Sequence, residues 1–360
     1  MTRYLKLYEN VKRKITDGAY PYGTKLPSKR VTAEENGISV ITVEHAYELL
    51  QEEGYIAARE KSGYFVTYRE SDSFETSERK TQRPAASMYR HVKSNTGVNH
   101  DEEISFNIYA KTARRVLSEY GEEITDRSPG YGCECLRRAI KDYLYRYRGI
   151  DADIERIIVG AGAEYLYGLI INALGRGTKY AGEYPSYEKI YKIYEAEGVK
   201  QELLNLGEDG IESSFLWQTQ AKVLHITPYR SFPTGVTASA AKKAEYLRWS
   251  VEKKGIIIED DFESEFTPSR KAEETLFSLD KNDRVIYVNT FTRTVGPFIR
   301  AAYMVIPKRL KALFDEKTGF YACTVPVLEQ YILSELMENG DFVRHINRVR
   351  RKRREERRLQ

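Results

Sequence analysis

The chain has 360 residues, 41% of them hydrophobic and 31% charged. That length suggests two or three domains with a sizeable core, and that balance excludes a wholly disordered chain. No apolar run reaches the roughly 18–20 residues of a membrane span, the first ten residues lack a signal-peptide core, and the formal charge of +4 excludes a broadly basic protein.

Leu7, Val11 and Ile15 recur at helical spacing, and Gly18 ends that helix. Tyr20-Pro21-Tyr22-Gly23 reads as a turn. Ser28 caps a second helix over residues 29–35, and Asn36-Gly37-Ile38 makes a tight turn. Ser39 caps a third helix, Val40–Gly54. Helix, short Gly-containing turn, helix is a helix-turn-helix, and residues 55–66 read as a hairpin wing.

This segment, 1–68, resembles the GntR family of winged helix-turn-helix DNA-binding domains. Matching elements run in order through Gly18, Pro21, Gly23, Leu26-Pro27-Ser28, Arg30, Gly37-Ile38-Ser39, Thr42-Val43, Ala46-Tyr47, Leu50, Glu53-Gly54-Tyr55 and Gly63-Tyr64-Phe65-Val66. The resemblance implies that double-stranded operator DNA meets Ser28, Lys29, Arg30, Ser39, Val40, Thr42, His45, Arg59 and Lys61. Hydroxyls and helix N-terminal amides suit phosphate, and the cations flank the backbone. Such domains dock as dimers on palindromic sites, so a homodimer is expected. Val40 stands where the family commonly has an arginine that reads guanine. Ten basic and nine acidic side chains leave residues 1–68 at only +1.

Residues 69–103 read as a polar linker. Over 104–343 apolar runs alternate with amphipathic stretches, an α/β pattern. Strands are expected at 156–160, 221–227, 255–259, 284–289 and 301–306. Cys133, Cys135 and Cys323 match neither a disulfide framework nor zinc-ligand spacing, so no metal is expected.

Motifs from Ser128-Pro129-Gly130-Tyr131-Gly132 through Glu183-Tyr184-Pro185-Ser186-Tyr187 and Pro233-Thr234-Gly235 to Thr290–Arg300 resemble fold-type I pyridoxal-phosphate aminotransferases. With the GntR-like start, this is the layout of the MocR subfamily of bacterial regulators. The implied fold is an α/β large domain, a mostly parallel sheet with helices on both faces, preceded by the winged helix-turn-helix. The implied cofactor is pyridoxal 5′-phosphate. Gly162, Ala163 and Glu164 would offer a helix N-terminus to its phosphate, with Arg300 as cation and Thr290 and Thr292 as added hydroxyls. Asp260, or Asp261 in the alternative register, would face the ring nitrogen, and Tyr187 the ring.

The Schiff-base lysine is replaced. Thr290-Phe291-Thr292-Arg293-Thr294 places Arg293 at that position, and a guanidinium cannot serve as the amine. Phe262 stands where a cofactor-contacting Tyr is usual, and Arg230 replaces a frequent His. Covalent cofactor binding is therefore not expected, whereas non-covalent binding is compatible with the remaining residues.

Residues 344–360 carry nine Arg/Lys against two Glu, +7, so the other residues total −3. The segment resembles the helix that leads into the family's small C-terminal domain, and the expectation is a chain cut at that helix with its basic face exposed. The whole reads as a cytoplasmic, sequence-specific transcription regulator whose aminotransferase-like part dimerises and senses a small effector. The alternatives are a working pyridoxal-phosphate aminotransferase and a truncated, non-functional paralogue.

Overall fold

A computed structural model describes residues 3–59, 62–68, 102–269 and 273–359. The chain divides into two compact units, Met1–Ser94 and Asn95–Gln360. Residues 69–101 of the expected linker, and Lys61 among the expected DNA contacts, lie outside the described residues.

In the first unit α1 (Arg3–Thr16) buries Leu7, Tyr8, Val11 and Ile15 on one stripe. Ser28 caps α2 (Lys29–Asn36) by accepting from the Val31 amide at 3.3 Å. Gly37, at φ +61°, closes α2 in the left-handed region, where a side chain is strained. Ser39 caps α3 (Val40–Glu52) by accepting from the Thr42 amide at 3.2 Å. The third helix thus stops two residues before Gly54, which turns the chain at φ +78°. Strands β1 (Ile56–Arg59) and β2 (Gly63–Val66) pair antiparallel with Ile56 opposite Val66. Val43, Ala46, Tyr47 and Leu50 of α3 join Leu26, Ile56 and Val66 in one core.

The second unit is built on an eight-stranded sheet. In chain order its elements are α4 (Phe106–Glu119), α5 (Glu134–Tyr143), β3 (Ile157–Gly160), α6 (Ala163–Leu174), β4 (Tyr180–Tyr184), α7 (Glu188–Ala196), β5 (Gln201–Gly207), β6 (Gly210–Ile211), α8 (Ser213–Gln218), β7 (Val223–Ile226), α9 (Ala240–Glu252), β8 (Ile256–Asp260), α10 (Leu276–Leu279), β9 (Val285–Thr290), α11 (Phe291–Thr294), β10 (Ala302–Val305), α12 (Lys311–Thr318), α13 (Val327–Glu338) and α14 (Asp341–Leu359). The strand order is β3-β10-β9-β8-β7-β4-β5-β6. The run from β9 through β8, β7 and β4 to β5 is parallel. Only β10, between β3 and β9, and the short β6 run against their neighbours.

Strands β3, β7 and β10 are buried along their whole length, which is why they read as continuous apolar runs. Side chains alternate between two cores. Tyr303 and Val305 join Leu136, Ile140 and Leu333 from α5 and α13, whereas Ala302 and Met304 join Leu166, Ile170 and Phe314 from α6 and α12. Helices therefore cover both faces.

The C-terminal helix departs from the expected exposed stump. It buries Phe342, His345, Ile346 and Val349. Arg350 donates to the Thr267 and Ser269 carbonyls, and Arg353 to Glu102 at 2.7 and 2.9 Å. An amphipathic face beneath the arginines overrides the simple charge count. No helix among the described residues is long and apolar enough to cross a membrane.

Candidate functional site

The carboxyl ends of parallel strands are where open α/β sheets hold ligands. Here Asp260 ends β8, Thr290 ends β9 and Thr227 follows β7. Together with the start of α6 they line a cavity of about 350 Å³. Gly162, Ala163, Glu164, Tyr187, Asp260, Thr290, Thr292 and Arg300 all lie on its wall, with Arg293 and Phe262. The site residues inferred from motifs spread over 139 positions thus meet in one place.

One end gathers two cations and the free amides of a helix start. Gly162, at φ +93°, precedes α6, whose first-turn amides have no partner within the helix. A Cβ at Gly162 would sit 3.2 Å from Arg300 Nη2, so the glycine keeps the guanidinium against the backbone. Glu164 fills part of this region, 3.6 Å from Arg300 and paired with Lys189. Burial raises the Glu164 carboxyl, but Lys189 and Arg300 outweigh it and hold the group below the ordinary carboxylate range. Thr290 and Thr292 spend their hydroxyl protons elsewhere: Thr290 donates to Ala301 O at 3.4 Å and Thr292 to Ile299 O at 2.8 Å.

The other end holds a buried carboxylate, and of the two aspartates only Asp260 lines the cavity. Asp260 faces the cavity, accepts from Tyr167 Oη at 2.5 Å and lies 3.7 Å from His225 Nε2. Asp261 is turned away and consumed by Arg148 at 2.5 Å and Tyr287 Oη at 2.8 Å. Successive residues at a strand end point to opposite faces, so only one of the pair faces the cavity. Tyr187 stands half-open at the cavity wall, edge-on to Phe232 at 6.0 Å.

Arg293 is not a free cation. Its Nη2 donates to Glu102 at 3.0 Å and to Glu263 at 3.1 Å. Arg353 from α14 binds the same two carboxylates. Two guanidiniums and two carboxylates cluster against the face of Phe266, and a third guanidinium, Arg230, lies 3.7 Å from Glu263. Burial raises the Glu102 carboxyl, and the two arginines more than reverse this.

Sequence reasoning missed Tyr167, Lys189, His225 and Phe232. Tyr167 lies four residues beyond Ala163 on α6, so it shares that residue's helix face, and this spacing marked it. Lys189 is the only lysine among the described residues lining the cavity.

In the first unit Ser28, Arg30, Ser39, Val40, His45 and Arg59 are exposed, and Thr42 is partly so. Lys29 is committed to Glu44 at 2.5 Å and lies over the Tyr64 ring, and its pKa rises through that bond. Arg59 stacks on Phe65 at 4.4 Å, and the edge of His45 meets Tyr4.

This pairing of units defines a class: a winged helix-turn-helix joined to an aminotransferase-type α/β domain. Residues 3–66 match the family model "Bacterial regulatory proteins, gntR family", and residues 99–360 match "Aminotransferase class I and II". "Uncharacterized HTH-type transcriptional regulator YdeL" of Bacillus subtilis (strain 168) is 32% identical over 97% of this chain and 76% of its own length. "Probable rhizopine catabolism regulatory protein MocR" of Rhizobium meliloti is 25% identical over 96% and 74%. An archaeal alanine:glyoxylate aminotransferase shares the fold, with a TM-score of 0.62 and 23% identity, over 67% of this chain and 62% of its own. The chain belongs to the MocR-type helix-turn-helix transcriptional regulators, gntR-family proteins with a fused aminotransferase class I and II domain.

Proposed function

We propose that this chain regulates transcription by binding operator DNA through residues 3–66 as a homodimer in the cytoplasm. Its aminotransferase-like cavity takes a pyridoxal-phosphate-type effector non-covalently and carries out no transamination. One observation carries the reading of the cavity. Arg293, at the position of the amine, is ion-paired with Glu102 and Glu263, while the glycine-arginine cradle and Asp260 remain on the same wall.

The fold family typically binds pyridoxal phosphate, and the residues present fit half of that group's needs. Gly162 leaves space for an anion beside Arg300, and Asp260 supplies a buried acceptor for a protonated ring nitrogen. The attachment point does not fit, because arginine stays protonated and offers no lone pair to a carbonyl. Bound pyridoxal phosphate would supply a planar, electron-withdrawing ring. This chain's residues would hold and orient it and leave it exchangeable.

Incubation with pyridoxal phosphate, borohydride reduction and dialysis tests this. The expected result is a reversible absorbance change with no pyridoxyl adduct on the protein. A stable adduct on the unaltered chain sinks the non-covalent reading. For DNA, a gel shift on the chain's own upstream region should weaken when Thr42 and His45 are changed to Ala. Equal, sequence-blind binding by both proteins would remove the operator reading.

A further inference from the structure

The exposed tip of α3 is apolar. Val40 and Ile41, the first two residues after the Ser39 cap, are 42% and 64% exposed. Neither contributes to the core of this unit, which Val43, Ala46, Tyr47 and Leu50 build; Ile41 lies on the opposite face of α3 and Val40 at the edge of the core stripe. Residues 31–58 contain no Arg or Lys, so α3 has no side chain able to grip guanine O6 and N7 as a bidentate cation. The far end of the helix is acidic, with exposed Glu48 and Glu52, and phosphates repel it. Only the first turn is suited to enter a groove. There Ser39 and Thr42 hydroxyls bond to each other at 2.8 Å beside the helix N-terminus.

What an apolar side chain can read in the major groove is the C5-methyl group of thymine. We infer that Val40 and Ile41 contact thymine methyl groups, so the operator half-site carries thymine where this tip docks. The inference rests on the DNA-binding reading of residues 3–66. It divides the labour: Arg30 and Arg59, exposed on α2 and β1, grip phosphates, and the α3 tip specifies the base.

Replacing thymine by deoxyuridine removes the methyl and leaves every hydrogen-bonding group in place, which isolates this contact. The full-length protein first selects duplexes from a random pool, and each thymine of the selected site is then replaced singly. One or two positions per half-site should lose about fourfold in affinity, the value of one buried methyl. Val40→Ala/Ile41→Ala protein, shown folded by its melting curve, should bind more weakly and no longer distinguish thymine from uracil at those positions. Indifference of the unaltered protein to uracil at every position overturns the inference. So does a double variant that keeps both full affinity and uracil sensitivity, an outcome that would assign the patch to protein contact. A protein that selects no sequence at all removes the DNA reading, and this inference with it.

Discussion

Arg293 Nη2 lies 3.1 Å from Glu263 Oε1, and the same carboxylate takes Arg353 at 2.8 Å. Arg293 is thus tied to the C-terminal helix through a shared acid. This changes what restoring a lysine should do. In Arg293→Lys the new ammonium would sit beside Glu102 and Glu263, which favour its protonated form. Only the free amine attacks a carbonyl, so reducible adduct with pyridoxal phosphate should form slowly near neutrality. Its rate should rise about tenfold per pH unit up to the lysine pKa. Adding Glu263→Gln should move that profile to lower pH. Mass spectrometry after borohydride reads the adduct, and a rate flat between pH 7 and 10 would contradict the electrostatic argument.

Gly162 and Arg300 make the second testable pair. Gly162→Ala adds a Cβ 3.2 Å from the guanidinium at a backbone φ of +93°, which a side chain strains to adopt. Both Gly162→Ala and Arg300→Gln should weaken pyridoxal-phosphate binding tenfold or more, as measured by titration calorimetry. Lys189→Ala removes the partner of Glu164 and should have a smaller effect. If Lys189→Ala abolished binding while Arg300→Gln left it intact, the anion site would have been placed at the wrong cation.

Much of this arrangement was legible in the sequence because it is written in glycines, prolines and continuous apolar strands. The strands β3, β7, β8, β9 and β10 fall within a residue or two of the expected runs. Strand β4, Tyr180-Ala181-Gly182-Glu183-Tyr184, is not among the expected runs, and it contains a glycine and an acid. The structure explains both. A Cβ at Gly182 would meet Gln201 of β5 at 2.5 Å, and Glu183 is buried with Ser231 donating to it at 2.7 Å. The choice between Asp260 and Asp261 depended on Arg148, more than a hundred residues away, and no local pattern announces such a partner. The Glu102–Arg293–Glu263–Arg353 cluster is likewise a product of tertiary packing. The expected exposure of the α14 arginines came from the resemblance to a helix that leads into a further domain, which does not reveal the contacts of Arg350 and Arg353 with Thr267, Ser269 and Glu102.

Buried Glu183 predicts a pH dependence of stability. Burial pushes its pKa up to about 8, against the hydrogen bond from Ser231 that acts to lower it. A carboxyl with a raised folded pKa binds its proton more tightly in the native state. Its contribution is complete below the unfolded pKa near 4.5 and is lost as pH rises toward 8. Both tryptophans, Trp217 and Trp249, lie in the second unit, so their fluorescence follows its unfolding alone. Between pH 6 and pH 8, Glu183→Gln should lose roughly 2 kcal/mol less stability in urea than the unaltered chain. Parallel profiles for the two proteins would mean that Glu183 is ionised in the native state across this range.

The Arg148–Asp261 pair supplies the sharpest stability test, because both side chains are almost wholly buried, at 2% and 4% exposure. Arg148 also donates to Ser264 Oγ at 2.5 Å, and Asp261 accepts from Tyr287 Oη and from the Ser264 amide. Removing either partner strands a charge in the core. Arg148→Met and Asp261→Asn should each cost about 3–5 kcal/mol by the tryptophan-monitored urea transition. Replacing both, Arg148→Met with Asp261→Leu, removes the stranded charge and should be far less damaging than the two single costs added together. The polar residues left behind, Ser264 and Tyr287, limit that recovery, since each loses a partner. A strictly additive double variant would show that packing at this site, and not the uncompensated charge, sets the loss.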